Sequence, residues 1–521
     1  MSFMFKPYPY VDQNAVNRMV LVGLALMAIA IPTQAEIKMP NIFGSNMVLQ
    51  REKNVPVWGW AAPNEKVTVK FNGQTKETVA TESGKWQVAL DPMTAGGPFK
   101  LEVGGTNSLA FDNILVGEVW LASGQSNMQM AMSSTAGFTE ERAQASHPEL
   151  RMFNTIRKTA REPQSDCEGR WIICAPDTLA VFSGTAYYFA RDLQVKLNAP
   201  VGIIHSSYGG SPIEAFTSLA AQTQKPELKT LLTGWEEKDR NYNAAAAQKK
   251  FEDVLVQWKT ASQKAKALGQ QPPATPKRPL ASRDDNHHPA VLFNAMIAPV
   301  IPYTIRGAIW YQGESNGHSE ESARLYAAQL PLLIEDWRNR WGQGDFAFAW
   351  VQLPNYSDRD AAYWPWVRES MTKALAITNT GMVITYDLGS TNTIHPLNKR
   401  DVGARLALWA RAKVYGENVV WLGPMLVSAI FRDGQAELIF TNSAGSFKSR
   451  NGALRGFAVA GDDKIFLSAT AQIDGDKVIL TAIGVSHPVA VRYAWAANPD
   501  ANLVNAENLP AWPFRTDDWS Q

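Results

Sequence analysis

The chain has 521 residues, of which 45% are hydrophobic, and its basic and acidic residues nearly balance to a net charge of +1. This apolar share, together with 18 Trp residues, is typical of packed cores and excludes a generally disordered chain. The balanced charge excludes the basic footprint of a nucleic-acid-binding protein.

Residues 1–35 have the pattern of an export signal. Basic residues precede a thirteen-residue apolar stretch, 19–31, and the small residue Ala35 follows it. Thirteen residues are too few to span a bilayer, so we favour a cleaved signal over an uncleaved anchor and expect no membrane partner after cleavage. The sequence therefore predicts a secreted or periplasmic protein, in which Cys167 and Cys174 form either a disulfide or two buried thiols.

Residues 36–112 predict a small N-terminal β-domain. Apolar and polar residues alternate over short segments, and Asn72-Gly73 is a typical hairpin turn. The predicted strands span 55–60, 67–71 and 86–90.

Residues 113–420 alternate between apolar strands and helices, which predicts an α/β domain whose mostly parallel sheet is covered on both faces. A charged, Ala- and Lys-rich segment within 225–285 predicts a helical insertion, which either shapes a substrate cleft or is solvated decoration. The predicted strands span 114–122, 201–205, 305–311, 346–353 and 382–388, and the predicted helices lie near 178–197, 235–268, 320–341 and after Pro396.

Residues 421–521 return to strand signals. Asp433-Gly434 and Asp474-Gly475 are hairpin turns between alternating apolar runs. A second β-module is therefore expected at the C-terminus.

Ser126 lies in the segment 117–128, in which an apolar run ends in small residues at a tight turn. A serine on a sharp strand-to-helix turn stands clear of the sheet, and the first helical N–H groups can face a forming oxyanion. A helix cap is the alternative for such a serine taken alone. Three further segments follow in order: 201–216, 307–316 and 394–399.

The four segments, with Gly-Gln-Ser-Asn-Met at 124–128 and Trp-Tyr-Gln-Gly-Glu-Ser-Asn at 310–316, resemble the blocks of the sialate O-acetylesterase family. This family is a branch of the SGNH hydrolases. The resemblance implies a three-layer α/β/α core with flanking β-modules, and a serine esterase that removes O-acetyl groups from a polysaccharide or sialic acid through an acetyl-serine intermediate. The alternatives are a non-catalytic carbohydrate-binding protein on the same scaffold, or a lipase or thioesterase. No metal and no cofactor are expected.

A serine nucleophile needs a base, and histidine suits that role near neutral pH. Of the seven histidines, His395 is chosen because it follows a core strand and lies in the segment that resembles the family's histidine block. His205, inside an apolar strand, is expected to be a core residue, and His287-His288 lacks a third metal ligand. The family's aspartate position, three residues before the histidine, holds Asn392 here, so Asp387 is the predicted third catalytic residue and Asn392 a supporting one.

The resemblance also implies an oxyanion hole. Its predicted donors are the Ser126 N–H, the N–H of Gly209 or Gly210, and the side-chain amide of Gln312, with Asn316 in reserve and Glu314 as a support. Flat rings near predicted loops are candidates for stacking on sugars, although aromatic residues are more often part of a core. The predicted substrate-binding residues are Trp310, Tyr311, Trp364 and Trp366.

Overall fold

The computed structural model describes residues 36–519 except 277, 279–280 and 443–445. The predicted export signal at 1–35 lies outside the described residues. Within the described part of the chain, no helix combines the length and the apolar character needed to cross a membrane.

The N-terminal region is built from antiparallel strands, as the alternation predicts. β2 pairs with β5, and β3 pairs with both β4 and β6. Asn72 and Gly73 have φ values of 46° and 76°, the left-handed conformations of a two-residue hairpin turn. The strands are β1 Val48–Gln50, β2 Val55–Trp60, β3 Lys66–Phe71, β4 Gln74–Val79, β5 Lys85–Leu90, β6 Gly96–Gly104 and β7 Ser108–Gly124.

Strand β7, with 17 residues, belongs to both the N-terminal region and the core. Its first half pairs with β6 in antiparallel register, and its second half pairs in parallel with strands of the core. The strand thus crosses the predicted boundary between residues 112 and 113 without a break. The turn that carries Ser126 and the N-terminal β-domain are therefore held on one continuous strand.

The core sheet confirms the α/β class. Its strand order is β13-β12-β11-β7-β10-β8-β9, and its pairs are parallel except that of β8 with β9. The predicted strand 382–388 ends early at Val383, because the Ile384 carbonyl accepts from Arg405 and the Thr385 hydroxyl donates to Gln352. The remaining core strands are β8 His147–Thr155, β9 Gly169–Cys174, β10 Val201–Ser207, β11 Gly307–Tyr311, β12 Ala347–Val351 and β13 Thr380–Val383.

Helices pack on both faces of this sheet. Successive side chains of a strand point to opposite faces. Thus Trp120 of β7 packs into a buried cluster with α3 and α9, and Leu121 packs into a second cluster with α7 and α8. The helices are α1 Ser126–Gln129, α2 Phe138–Gln144, α3 Gly184–Leu197, α4 Leu219–Gln222, α5 Lys229–Asn241, α6 Ala244–Ala267, α7 Glu320–Trp341, α8 Trp364–Lys373 and α9 Lys399–Lys413.

The insertion is helical, and it contains two helices, α5 and α6. The break falls at Tyr242, whose backbone is extended, and Asn243 caps the second helix by accepting from the Ala246 N–H. Cys167 and Cys174 are free, buried thiols, and burial raises the pKa of each to about 12.

The C-terminal region contains the predicted β-hairpins. Its two larger sheets have the orders β14-β15-β20-β19 and β18-β17-β21-β23, and β16 pairs with β22. The strands are β14 Met425–Arg432, β15 Gln435–Thr441, β16 Phe447–Ser449, β17 Phe457–Ala460, β18 Phe466–Ser468, β19 Thr470–Asp474, β20 Lys477–Thr481, β21 Ala490–Tyr493, β22 Leu503–Asn505 and β23 Phe514–Arg515.

Candidate active site

Ser126 lies where β7 turns sharply into α1. Gly124 has a φ of 135°, and a Cβ there would lie 2.2 Å from the carbonyl oxygen of Tyr311 on β11, so the turn requires glycine. The Gln125 N–H donates to that same carbonyl at 2.9 Å, and its side-chain oxygen accepts from the Ser315 N–H at 3.3 Å. The serine turn is therefore attached to the segment that follows β11.

The segment between β13 and α9 brings His395 to the serine turn. Asn127, directly after Ser126, donates through Nδ2 to the carbonyl oxygen of Ile394 at 3.0 Å. This bond joins the residue after the predicted nucleophile to the residue before the predicted base. The His395 N–H donates to the Thr393 hydroxyl at 3.1 Å, and its side chain is half-buried.

The loop after β10 lies against Ser126 on its other side. The Tyr208 N–H donates to the Gly124 carbonyl at 3.0 Å, and a Cβ on Gly209 would lie 3.4 Å from the Cβ of Ser126. The Gly209 N–H donates to the side-chain oxygen Oε1 of Gln129 at 2.6 Å. Gly210 has a φ of 75° and open space around it, so Gly209 is the glycine beside the serine.

The side-chain amides of Gln312 and Asn316, in the segment 307–316, point into the protein. This corrects the prediction that they donate to the oxyanion. Nε2 of Gln312 donates to the Ser211 carbonyl at 3.2 Å and to Oδ1 of Asn316 at 2.7 Å. Nδ2 of Asn316 donates to Glu214 at 3.0 Å and to Gln329 at 3.4 Å. Both amides are buried and already bonded, so they brace the loop after β10 and do not offer N–H groups to an oxyanion.

Beneath the serine turn lies a buried charged pair joined through one amide. Asn127 donates through Nδ2 to Glu314 at 2.5 Å and accepts at Oδ1 from Nζ of Lys399 at 2.6 Å. Burial raises the pKa of Glu314. Burial lowers the pKa of Lys399 to about 7, although the Glu314 charge acts in the other direction and raises it. Burial, and then the Lys399 charge, lower the pKa of His395. Sequence reasoning missed Lys399, although it ends the segment 394–399.

The Asp387 carboxylate is bonded to two arginines, which argues against the predicted role of Asp387 as third catalytic residue. Its two carboxylate oxygens pair with Nη1 and Nη2 of Arg405, each at 2.7 Å, and Arg450 adds a third bond at 2.7 Å. Burial opposes ionisation, yet both arginines hold the pKa of Asp387 below its usual range. Asn392 is exposed.

The four predicted substrate-binding aromatics are core residues. Trp310 and Tyr311 are 0% exposed within β11, and Trp364 and Trp366 are each 1% exposed. The proline between the two tryptophans occupies the first turn of α8, where it starts a helix rather than a loop. The aromatic residue next to the site is instead Tyr208, which is partly exposed beside the serine turn.

Two of the other histidines, His205 and His287, have partners of their own. His205 is buried, as predicted, and bonds Asn154 at 2.9 Å and the Ser207 hydroxyl, and burial lowers its pKa to about 4. His287 bonds Asp285 at 2.7 Å, and that hydrogen bond raises its pKa.

The chain is similar to known carbohydrate esterases. Residues 287–409, which include the third block and His395, match a family model described as "Carbohydrate esterase, sialic acid-specific acetylesterase". The sialate O-acetylesterase of Rattus norvegicus is 30% identical over 434 residues, 73% of this chain and 74% of the relative. That of Homo sapiens is 29% identical over 524 residues, 90% of each chain. The solved structure of a carbohydrate acetylesterase from Xanthomonas citri is 36% identical in sequence to this chain. The match covers 93% of this chain and 100% of the Xanthomonas citri chain, with a TM-score of 0.79.

Proposed function

This chain belongs to the sialate O-acetylesterase family and is a carbohydrate O-acetylesterase, and we propose that it cleaves acetyl esters through an acetyl-serine intermediate on Ser126. The observation that carries this mechanism is the bond from Asn127 to the Ile394 carbonyl, because it holds the segments of Ser126 and His395 together. The core is proposed to be the three-layer SGNH fold, supported by the helices on both faces of its sheet.

In the proposed first step, His395 removes the proton from the Ser126 hydroxyl as Oγ attacks the acetyl carbonyl carbon. The tetrahedral oxyanion collapses, the C–O bond to the sugar breaks, and the sugar oxygen takes the proton from His395. In the second step His395 removes a proton from water as the water oxygen attacks the acetyl-serine, and His395 then gives that proton to Ser126 Oγ. Acetic acid leaves and ionises to acetate. No redox partner is required.

Two main-chain N–H groups are proposed to hold the oxyanion. Ser126 is the first residue of α1, and the N–H groups of a first helical turn have no acceptor within the helix. Gly209 supplies the second N–H, because it is the glycine that lies against Ser126. In this proposal Gln312 and Asn316 act through the loop that they brace, not on the substrate.

His395 is proposed to work with Ser126 as a dyad. Its lowered pKa favours the neutral imidazole that can accept a proton near neutral pH. Burial of the ring and then the Lys399 charge lower this pKa. Asp387 is left out of the mechanism because its oxygens are bonded to two arginines.

The proposed substrate is an O-acetylated carbohydrate outside the cytoplasm, reached by export through residues 1–35. We favour an acetylated plant polysaccharide over sialic acid, because the residue that directly follows the insertion contacts the loop after β10. Asn286 donates to the Ser211 hydroxyl at 2.7 Å, next to the loop that carries Gly209. The insertion is proposed to widen the surface on which a polymer would lie.

The test of this proposal is acetate release by purified protein from acetylated xyloglucan, acetylated xylan and O-acetylated sialic acid, with a long-chain ester as a lipase substrate. Ser126→Ala should abolish turnover with the fold retained, because the nucleophile is lost. Ser134→Ala is the matched control, since Ser134 is an exposed serine on the turn that follows α1.

Activity that survives in Ser126→Ala would contradict the acyl-enzyme mechanism. Binding of the polysaccharide by the wild-type protein without any acetate release would favour the carbohydrate-binding alternative. Preference for the long-chain ester would favour a lipase.

A further inference from the structure

The N–H of Gly209 is already occupied in the free protein. It donates at 2.6 Å to the side-chain oxygen of Gln129, the last residue of α1. A Cβ placed on Gly209 would lie 3.0 Å from that oxygen and 3.4 Å from the Cβ of Ser126, so the glycine is flanked by both side chains. The amide oxygen of Gln129 therefore takes the hydrogen bond that the acetyl carbonyl oxygen needs.

We propose that Gln129 is a positioning residue that occupies the oxyanion donor in the free enzyme and yields it to the acetyl carbonyl of the substrate. The inference rests on the proposed function, because it takes Gly209 as an oxyanion donor. An amide carbonyl and an ester carbonyl are both sp² oxygens that accept one N–H in the same way. Substrate binding is then an exchange of acceptors on Gly209 rather than the formation of an additional bond.

The surroundings of Gln129 permit this exchange. Its side chain is partly exposed, and the bond to Gly209 is the only hydrogen bond that it makes with the described residues. No second contact of this kind holds the amide in place when the Gly209 N–H is taken. The side chain can therefore rotate into solvent at the cost of one hydrogen bond.

The exchange predicts a specific kinetic pattern. A bond that must be broken before the ester carbonyl can bind weakens ground-state and transition-state binding equally, so it raises KM without changing kcat. Removing the competing acceptor should reverse this effect. A loss of fold or of catalytic machinery would have the opposite sign, because it lowers kcat or raises KM.

The test measures kcat and KM with 4-nitrophenyl acetate and with acetylated xyloglucan for three variants. Gln129→Met, which keeps the side-chain length and removes the acceptor, should lower KM about threefold to tenfold with kcat within about twofold, as expected for one net hydrogen bond. Gln129→Ala should change KM in the same direction. Gln129→Glu should raise KM and lower kcat/KM about tenfold or more, because a carboxylate accepts the N–H more strongly and repels the oxyanion.

Two results would overturn the inference. A KM that is unchanged or higher in Gln129→Met shows that the amide does not compete with substrate. A kcat reduced about tenfold or more at unchanged KM shows that the Gln129 amide itself stabilises the transition state. Both are distinct from failure of the proposed function, which is an inactive wild-type protein or an active Ser126→Ala variant.

Discussion

At the scale of single residues, both polar atoms of the Asn127 side-chain amide form hydrogen bonds to other segments of the site. Its amide nitrogen donates to Glu314 and to the Ile394 carbonyl, and its oxygen accepts from Lys399. Only an amide offers two donors and an acceptor in this arrangement at neutral charge. The residue next to the proposed nucleophile is thus connected both to the loop of the proposed base and to the buried side chains of Glu314 and Lys399.

Lys399 should set the acid limit of activity. Burial and the Lys399 charge lower the pKa of His395, and Lys399 keeps its own proton below about pH 7. His395 acts as a base only when neutral, so activity falls as pH drops through its pKa. In Lys399→Gln that pKa rises, and the acid limb of the kcat/KM profile should move to higher pH.

The measurement is a pH profile of kcat/KM for Lys399→Gln and for the control Lys413→Gln. Lys413 lies at the end of the same helix and is exposed. The control should reproduce the wild-type profile. An acid limb that stays in place in Lys399→Gln would mean that the Lys399 charge does not act on His395.

At the scale of elements, the turn from β7 into α1 depends on a close contact with β11. Gly124→Ala places a methyl group against the Tyr311 carbonyl oxygen in a left-handed backbone that costs about 1–3 kcal/mol for a residue other than glycine. We expect the loss of most activity together with a lower Tm. The matched control is Gly44→Ala, where a Cβ meets nothing within 4 Å. Equal Tm and activity in the two variants would contradict the required contact.

Helices and turns could be predicted from the sequence where one strong local signal determines them. The helix predicted over 320–341 is observed as Glu320–Trp341, and the Asn72-Gly73 hairpin forms as expected. The serine turn was predictable for the same reason. The end of β13 was not, because it depends on Arg405, a residue that the chain reaches only in α9.

Side-chain directions in the site were not predictable, because they depend on distant partners. Gln312 ends a strand in the position of a donor, yet Ser211 and Asn316 take both of its N–H groups. Asp387 likewise has the residue type of a catalytic acid but meets Arg450 of the C-terminal region. The spacing of residues along the sequence does not predict such contacts between distant residues.

At the scale of the whole molecule, the C-terminal β-region packs against the core beside the segment of His395. Arg368 of α8 donates to the carbonyl oxygens of Ala496 and Ala497, and the hydroxyls of Tyr386 and Tyr493 lie 3.2 Å apart. The ion pair of Asp387 with Arg450 crosses the same interface. These contacts support the segment between β13 and α9 from outside the core.

Asp387→Asn should therefore destabilise the protein more than it impairs catalysis. Removing one member of a buried ion pair costs about 3–5 kcal/mol, because the arginines lose their counter-charge. Since the Asp387 pKa is lowered, its stabilisation is present above the ordinary Asp value and lost as pH falls through the lowered one. We expect a lower Tm near neutral pH and near wild-type kcat for the folded fraction.

The control for this variant is Asp401→Asn, an exposed aspartate in the first turn of α9. Its Tm should change little. A kcat reduced by orders of magnitude in folded Asp387→Asn would return Asp387 to the catalytic machinery.

The shared strand β7 has a consequence for how the protein is made. Residues 114–124 are all buried, and in their second part the two edges of the strand are covered by β10, at 118–124, and by β11, at 120–124, both of which are synthesised later in the chain. A nascent chain that has reached only β9 therefore presents an apolar strand with both edges unpaired, the kind of segment that joins other chains. We therefore expect the growing chain to be prone to aggregation until β11 has been synthesised.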